Sequence, residues 1–336
     1  MQGTSTQVSV IIPTYNTATE LIKCVEALEK QNFSKEKYEI IVVDDGSTDS
    51  TASIVKDYPV HYYYQKNRGP ASARNKGVEM AKGSIILFTD SDCIPAENWI
   101  SEMVSSLQAP EIIGVKGVYR TAQRKLWARF AQVEFYERYR LLLKNDYIDM
   151  IDTYSAGYKK DTFLSINGFD TSFTSANHED TDLSYKMSLK GYKMVFNPKA
   201  VVWHSGHPDT MTKYMRLKFW RGYWRMVVYE RYSTKMLKDS YTPQMLKLQI
   251  LFAFLSVLTL ILVLFSPVSR FYLFFWGVLS FIATSLPFMV VALSQDTTIG
   301  LLTPYFLFLI ALALGSGVFY RLLVMVLQKC LKLKKD

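Results

Sequence analysis

Three long apolar segments, residues 245–265, 271–293 and 301–327, constrain this chain more than any other feature of it. Each is about 20 residues or longer, and at ~1.5 Å of rise per residue ~20 residues cross a ~30 Å hydrocarbon core. Charges almost vanish inside them. The competing reading, buried helices of a soluble protein, needs three such segments in succession to be covered by the rest of the chain. The sequence therefore predicts an integral membrane protein.

The net charge of +9 is concentrated rather than general. From Lys213 to Lys247 there are nine Lys or Arg against two acids, Glu230 and Asp239, directly before the first apolar segment. That placement fits the positive-inside rule and attraction to anionic lipid heads better than nucleic-acid binding. The opening "MQGTSTQ" is polar, which predicts no secretory leader and a cytoplasmic location for residues 1–200. Three cysteines far apart, Cys24, Cys93 and Cys330, suggest neither a disulfide framework nor a zinc site. The basic tail "QKCLKLKKD" conflicts with three crossings, which would carry it to the far side. Either the segment after Leu301 only dips into the membrane, or the tail lies along the interface with Arg321 snorkelling.

The soluble part alternates strand and helix. "VSVIIPTYN" (8–16) reads as a strand, and Leu21, Ile22, Val25 and Leu28 follow at helical spacing. "YEIIVVDDGSTDST" gives a second buried strand, with Asp49 or Ser50 placed to cap a helix through Lys56. "VHYYYQ" is a short strand, and "RGPASARNKGVEMAKG" a turn and a helix ending at Gly83. "SIILFTDSDC" is the third strong strand. This order predicts an α/β domain with a mostly parallel central sheet. In such sheets ligands bind beyond the carboxyl ends of the strands, and here the strong strands end in Thr14-Tyr15-Asn16, Asp44-Asp45 and Asp90-Ser91-Asp92. The Gly-rich phosphate loops of dehydrogenases and ATPases are missing. Two carboxylates one residue apart repel each other unless something positive joins them. Mg²⁺ or Mn²⁺, a hard cation with positions open to a diphosphate, is one reading; neighbouring Lys and Arg are another, and a capped surface turn is the bland one.

The motifs together resemble glycosyltransferase family 2, with its GT-A fold. "VSVIIPTYN", "IVVDDGSTDST", "NRGPASARNKG", "ILFTDSDC", "SAGYKKDTFLSINGFD" and "HEDTDLSYKMSLKGYKM" stand in the family's order over residues 8–205. The resemblance implies that Pro13, Tyr15 and Asp45 line the nucleotide base pocket. It puts Arg74 near the base or diphosphate, Asp90 at the ribose or the metal's water shell, and Asp92 on the metal. His204, ending the strand "AVVWH", becomes a candidate for metal or diphosphate, with His207 the weaker one. Cys93 reads as a packing residue. Glu179 and Asp180 match the family's catalytic acids, Asp180 first as general base for one inverting displacement; a helix dipole favouring acids in its first turn is the bland alternative. Lys186 stands where relatives often carry Arg.

Residues 206–244 read as a basic, aromatic interfacial region, with Trp220, Trp224, Val227 and Arg231 on one helical face. Arg216, Lys218 and Arg221 are candidates to meet the donor diphosphate, against a plain anchoring role. The partition expected is a catalytic domain over 1–205, this region, and a membrane region over 245–336. The function implied is transfer of a sugar from a nucleotide-diphosphate donor, UDP being the family's prior, to a lipid-linked acceptor such as a polyprenyl phosphate or a glycan on one. A processive synthase is disfavoured because "RLKFWRGYW" lacks a Gln-x-x-Arg-Trp motif. A nucleotidyltransferase lacks its Gly-rich loop here. A sensor or transporter is disfavoured by the complete set of carboxylates and the scarcity of intramembrane charges.

Overall fold

The computed structural model describes residues 6–173, 178–264 and 271–332. Residues 1–5 of the polar opening, Phe265 and the last four residues of the basic tail, all part of the expectations above, lie outside them. The chain forms two compact units, one of residues up to Ala122 with Leu141–Gly206, the other of Gln123–Arg140 with the chain from His207. The second unit thus takes residues 123–140 out of the stretch that sequence reading assigns to a single catalytic domain.

The first unit begins with β1 (Val8–Thr14), α1 (Ala18–Glu29), β2 (Tyr38–Asp44), α2 (Thr51–Ile54), β3 (His61–Tyr64), α3 (Pro70–Met80) and β4 (Ile85–Phe88). After β5 (Cys93–Pro95), α4 (Trp99–Ser106) and β6 (Ile112–Arg120), the chain passes through α5 (Leu126–Leu142). It closes with β7 (Ala156–Lys159), α6 (Lys160–Ser165), α7 (Glu179–Leu189) and β8 (Lys193–His204). β1 is buried along its whole length, as an apolar strand covered on both faces must be. α1 buries Leu21, Val25 and Leu28, one face of a 3.6-residue period. α2 tightens after Ile54 into a 3₁₀ turn over Val55–Asp57, ahead of Tyr58-Pro59. No side chain caps it at Ser50; Asp49 accepts from the Thr51 N–H instead. α3 stops at Met80, three residues short of the predicted Gly83.

The strand order is β3-β2-β1-β4-β7-β6-β8-β5. β1–β2, β1–β4, β2–β3 and β6–β8 run parallel. β4–β7, β6–β7 and β5–β8 run antiparallel, so the sheet is mixed, with four of its seven strand pairings parallel as the sequence predicts for most of it. Helical crossovers set the parallel half, while β7 and β5 enter against their neighbours. The three strong strands lie side by side, with Thr14 opposite Asp44 and Ile11 opposite Phe88. Their polar tips share one edge of the sheet.

The second unit is helical: most of α5, then α8 (Met211–Arg231), α9 (Ser233–Leu237), α10 (Met245–Leu264), α11 (Phe271–Gln295) and α12 (Thr297–Lys332). α10, α11 and α12 are each long and apolar enough to cross a membrane. Their aromatic core includes Trp127 and Phe130 of α5 against Phe306, and Phe130 against Phe288. α8 buries Tyr214, Lys218, Gly222 and Val228. Lys218, which the sequence offers to a diphosphate, is 1% exposed, and its Nζ donates to both oxygens of Glu134 at 2.7 Å. The Tyr214 hydroxyl donates to Glu134 as well. Burial opposes the Glu134 charge, but Lys218 and Arg138 outweigh it and hold the carboxyl below its ordinary value. Burial pushes the Lys218 amine down to about 7 against the pull of Glu134, so the side chain serves a buried structural pair rather than a diphosphate.

α8 and α12 meet backbone to backbone. A Cβ on Gly317 would stand 1.9 Å from the Phe219 carbonyl oxygen, and one on Gly222 would stand 2.2 Å from that of Leu314. Neither carbonyl can move without breaking helix. Gly317→Val is expected to lower stability in detergent by ~2 kcal/mol, the range of overpacked contacts. Thermal unfolding checks this, with Gly191→Ala, which meets nothing within 4 Å but has positive φ, as a strain-only comparison.

Candidate active site

The edge where β1, β2 and β4 end is organised by hydrogen bonds from their own side chains. Thr14, Thr17 and Ser91 form a hydroxyl chain at 2.9 and 2.8 Å, tying the tip of β1 to the turn after β4. Asp44 accepts from the Ser47 N–H and the Tyr62 hydroxyl, each at 2.7 Å. Asp45 is buried and accepts from Gln65 Nε2 at 2.6 Å and from the N–H groups of Arg68 and Gly69 at 2.8 Å. A carboxylate offers about four acceptor positions, so this loop already uses most of those expected for a base. Pro13 is buried in β1 beside Val43. Tyr15 is 50% exposed just past the strand, its ring accessible for stacking.

Arg74 joins the two acidic clusters. It is 3% exposed on α3, and its two terminal nitrogens donate to Glu179 Oε1 at 2.8 Å and Asp90 Oδ1 at 2.7 Å. This buried bridge is what offsets the repulsion among the carboxylates. The guanidinium sits among carboxylates, bonded to the Asp90 that the resemblance puts at the ribose or the metal's water shell. Lys186 likewise turns inward, donating to the Ile166 carbonyl.

Asp92 lies on the other side of the tip. β5 pairs antiparallel with β8 so that Cys93 faces His204, which brings His204 Nε2 within 3.3 Å of Asp92 Oδ2. Asp92, Cys93 and His204 form a group whose candidate ligand atoms lie within 4.8 Å of one another. Burial and the neighbouring Asp90 push the Asp92 carboxyl up, while His204 pulls it down. Burial pushes the Cys93 thiol well up, so it stays protonated and packs. Gly206 makes the cradle possible, because a Cβ there would stand 2.1 Å from Asp92 Oδ2. A carboxylate and an imidazole facing one space are a donor set that suits a divalent cation.

Glu179 and Asp180 open α7 behind His178, whose φ of 68° is left-handed. Such backbone is costly for a non-glycine residue and concentrates at functional sites. Burial pushes the Glu179 carboxyl up and Arg74 pulls it back. Asp180 is half-buried; desolvation first, then Glu179 and Asp152, push its carboxyl up to about 7. Sequence reasoning missed Asp152. Ser184 Oγ accepts from the Ile151 N–H at 3.0 Å and donates to the Asp180 carbonyl at 2.7 Å, which holds that segment against α7. Lys116, fully buried in β6, pairs with Asp152 and donates to the Tyr154 hydroxyl at 2.8 Å. A lysine inside a strand was the only available signal. Arg216, Arg221 and His207 belong to the second unit; His207 is buried there, its N–H donating to Gln123 Oε1 at 2.9 Å.

This sheet order, with acidic residues gathered at the strand tips, is the arrangement of a GT-A-type transferase. Residues 9–164 match the family model described as "Glycosyl transferase family 2", so this stretch is similar to a glycosyltransferase domain of that family. It is similar to glycosyltransferase AglE of Haloferax volcanii, 37% identical over 123 residues, 35% of this chain and 40% of that protein. Glycosyltransferase GlyG of Streptococcus pneumoniae is 40% identical over 118 residues, 33% of this chain and 38% of that protein. These matches thus span about two fifths of each relative. A Methanococcus voltae protein named as a dolichyl N-acetyl-alpha-D-glucosaminyl phosphate glycosyltransferase, acting with a diacetamido-dideoxy-glucuronosyl group, is 24% identical over 217 residues, 58% of this chain and 65% of that protein. Among solved structures, mannosyltransferase PcManGT from Pyrobaculum calidifontis, in complex with GDP-Man and Mn²⁺, superposes with a TM-score of 0.61 at 19% identity. That superposition covers 94% of this chain and 87% of the other, and it establishes a common fold.

Proposed function

We propose that this chain is an inverting, metal-dependent glycosyltransferase that moves a sugar from a nucleotide-diphosphate donor to a lipid-linked acceptor at the membrane. The observation that carries the reading is Asp180, poised near neutrality beside an Arg74-bridged carboxylate pair, at the same strand edge as Asp92 and His204. A general base works best with a pKa near the working pH. In the reaction, an acceptor hydroxyl oxygen attacks the anomeric carbon while the bond from that carbon to the diphosphate oxygen breaks. The hydroxyl proton passes to Asp180, the nucleoside diphosphate leaves with the bonding pair, and the anomeric configuration inverts. Tyr15 offers a stacking face to the base, and Asp45 holds the loop through Arg68 and Gly69 that borders it. Asp92 and His204 would hold Mn²⁺ or Mg²⁺, which when bound supplies positive charge to the leaving diphosphate. The neighbour solved with GDP-Man and Mn²⁺ supports both donor class and metal, and the dolichyl-phosphate name of the Methanococcus relative supports a lipid-linked acceptor. UDP and GDP sugars are the donors to try first. The C-terminal helices hold the chain in the membrane, with the catalytic unit on the cytoplasmic face.

Donor with a labelled sugar, Mn²⁺ and a panel of polyprenyl phosphates and lipid-linked glycans tests this. Label entering the organic phase in the inverted configuration is the expected result; retention, or transfer only to water-soluble acceptors, would sink it. The metal assignment has its own readout. Gly206→Ala is expected to weaken Mn²⁺ binding, read by titration of the free ion's EPR signal, by at least ~10-fold, because the added methyl displaces Asp92.

A further inference from the structure

The helical unit resolves the conflict between three apolar helices and a basic tail. α8 runs beside α12 from Met211, whose sulfur meets the Tyr305 hydroxyl at 3.7 Å, to Glu230, which Arg321 engages through two bonds of 2.8 Å. Between these ends the backbones touch at Gly222 and Gly317, so no lipid separates the helices. The stretch of α12 flanked in this way is ~24 Å long at ~1.5 Å per residue, most of a ~30 Å hydrocarbon core. α8 carries Lys213, Arg216, Lys218, Arg221, Arg225 and Arg231. Were α12 to cross the membrane, it would draw that row of cations into the hydrocarbon, where each is costly. Beyond Arg321 the helix has ~16 Å left to Lys332, too little to cross, and Lys329 lies within it.

Two further contacts agree. Arg129 of α5 donates to both oxygens of Asp296 at 2.7 Å, a paired charge at the junction of α11 and α12. That junction belongs at a polar boundary. α10 and α11 form an antiparallel hairpin, with Gln249 Nε2 donating to the Thr284 carbonyl at 3.0 Å and Gly277 closing on Ser256. A hairpin returns the chain to the face it left. Among the exposed apolar residues of α12, Leu301, Tyr305, Phe319, Leu323 and Val326 fall on one stripe opposite its buried Thr303, Phe306 and Ile310, and Leu302, Tyr320, Leu322 and Leu327 flank that stripe.

We propose that α12 is an interfacial helix that lies along the bilayer surface beside α8, its apolar stripe toward the lipid, and that the basic tail ends on the face of the membrane that carries α8. The partner surface is the headgroup boundary of the bilayer, and the positive-inside rule is then obeyed at both ends of the hairpin.

Cys330 is the native reporter, since it is exposed while Cys24 and Cys93 are buried. Sealed membranes holding the full chain are treated with a membrane-impermeant maleimide before and after permeabilisation. Cys330→Ser gives the background, and Lys213→Cys in that background reports the side of α8. Cys330 and Lys213→Cys are expected to label in the same state of the vesicles, each before permeabilisation to within about twofold of the other, or both only after it. Labelling in opposite states overturns the proposal. Should lipid shield Cys330 in both states, Lys335→Cys in the Cys330→Ser background decides between the same two outcomes.

Discussion

Asp180→Asn is expected to lower sugar transfer by about 10²–10⁴-fold, the usual contribution of a general base, while donor nucleotide binds as before. The same change is expected to make the protein more stable at pH 8. The folded Asp180 carboxyl titrates near 7 and the unfolded one near its ordinary 3.8. The folded state therefore keeps a proton that the unfolded chain has lost, and stability present below about pH 4 drains away as pH rises through about 7. Asparagine carries no charge to desolvate. With allowance for partial exposure, the gain above pH 7 is ~1–3 kcal/mol, and it vanishes near pH 4. For the wild-type enzyme, kcat/KM should fall about tenfold per unit below pH 7 as the base protonates. Unfolding curves at pH 4 and pH 8, beside a pH–rate profile, check both halves. An active Asp180→Asn protein, or a flat acid limb, would remove Asp180 from the mechanism.

Arg74→Met is expected to cost ~3–5 kcal/mol of stability, because it strands the buried Glu179 and the half-buried Asp90 without their counterion. Glu179 is 3% exposed and loses its ion-pair partner; Asp90 loses the same one. Burial already pushes Glu179 toward its protonated form, so the unpaired group takes up a proton more readily. The penalty should therefore be smaller at pH 5 than at pH 8. Arg74→Met/Glu179→Gln should recover part of the loss at pH 8. Thermal unfolding of the single and double variants measures this, and equal losses in both would mean the bridge carries little energy. A guanidinium devoted to diphosphate would instead change donor affinity and leave stability nearly untouched.

Arg74 also marks where sequence reasoning stops. The strand tips at Thr14, Asp44 and Asp90 are legible because each ends a continuous apolar run in residues that a core cannot hold, and parallel neighbours align such ends. α7 is legible because its acids precede a helical period. Partnerships are not legible in this way. Arg74 meets Asp90 and Glu179 across 16 and 105 residues, and local periodicity contains nothing about them. β6 carries Gly114, Lys116 and Gly117 in a strand buried but for its last residue. Its polar and small residues hide it, and with it goes the antiparallel half of the sheet. Lys116 is tolerated because Asp152 arrives from another part of the chain. Lys218 teaches the same lesson on α8, where a cation in a basic, aromatic stretch reads as phosphate-facing until Glu134 is seen beneath it. His204 was easier to find, since it ends a strand, but its pairing with Asp92 follows only from the register of β5 with β8.

The most direct test is release of nucleoside diphosphate from a panel of nucleotide sugars by this chain in lipid. The panel is run with Mn²⁺ or Mg²⁺, then with EDTA, and with Asp92→Ala and Asp180→Asn in parallel. Release from one class of donor is expected, lost on chelation and in Asp92→Ala, and reduced at least ~10²-fold in Asp180→Asn. Release that survives EDTA, or that both variants retain, would contradict that expectation.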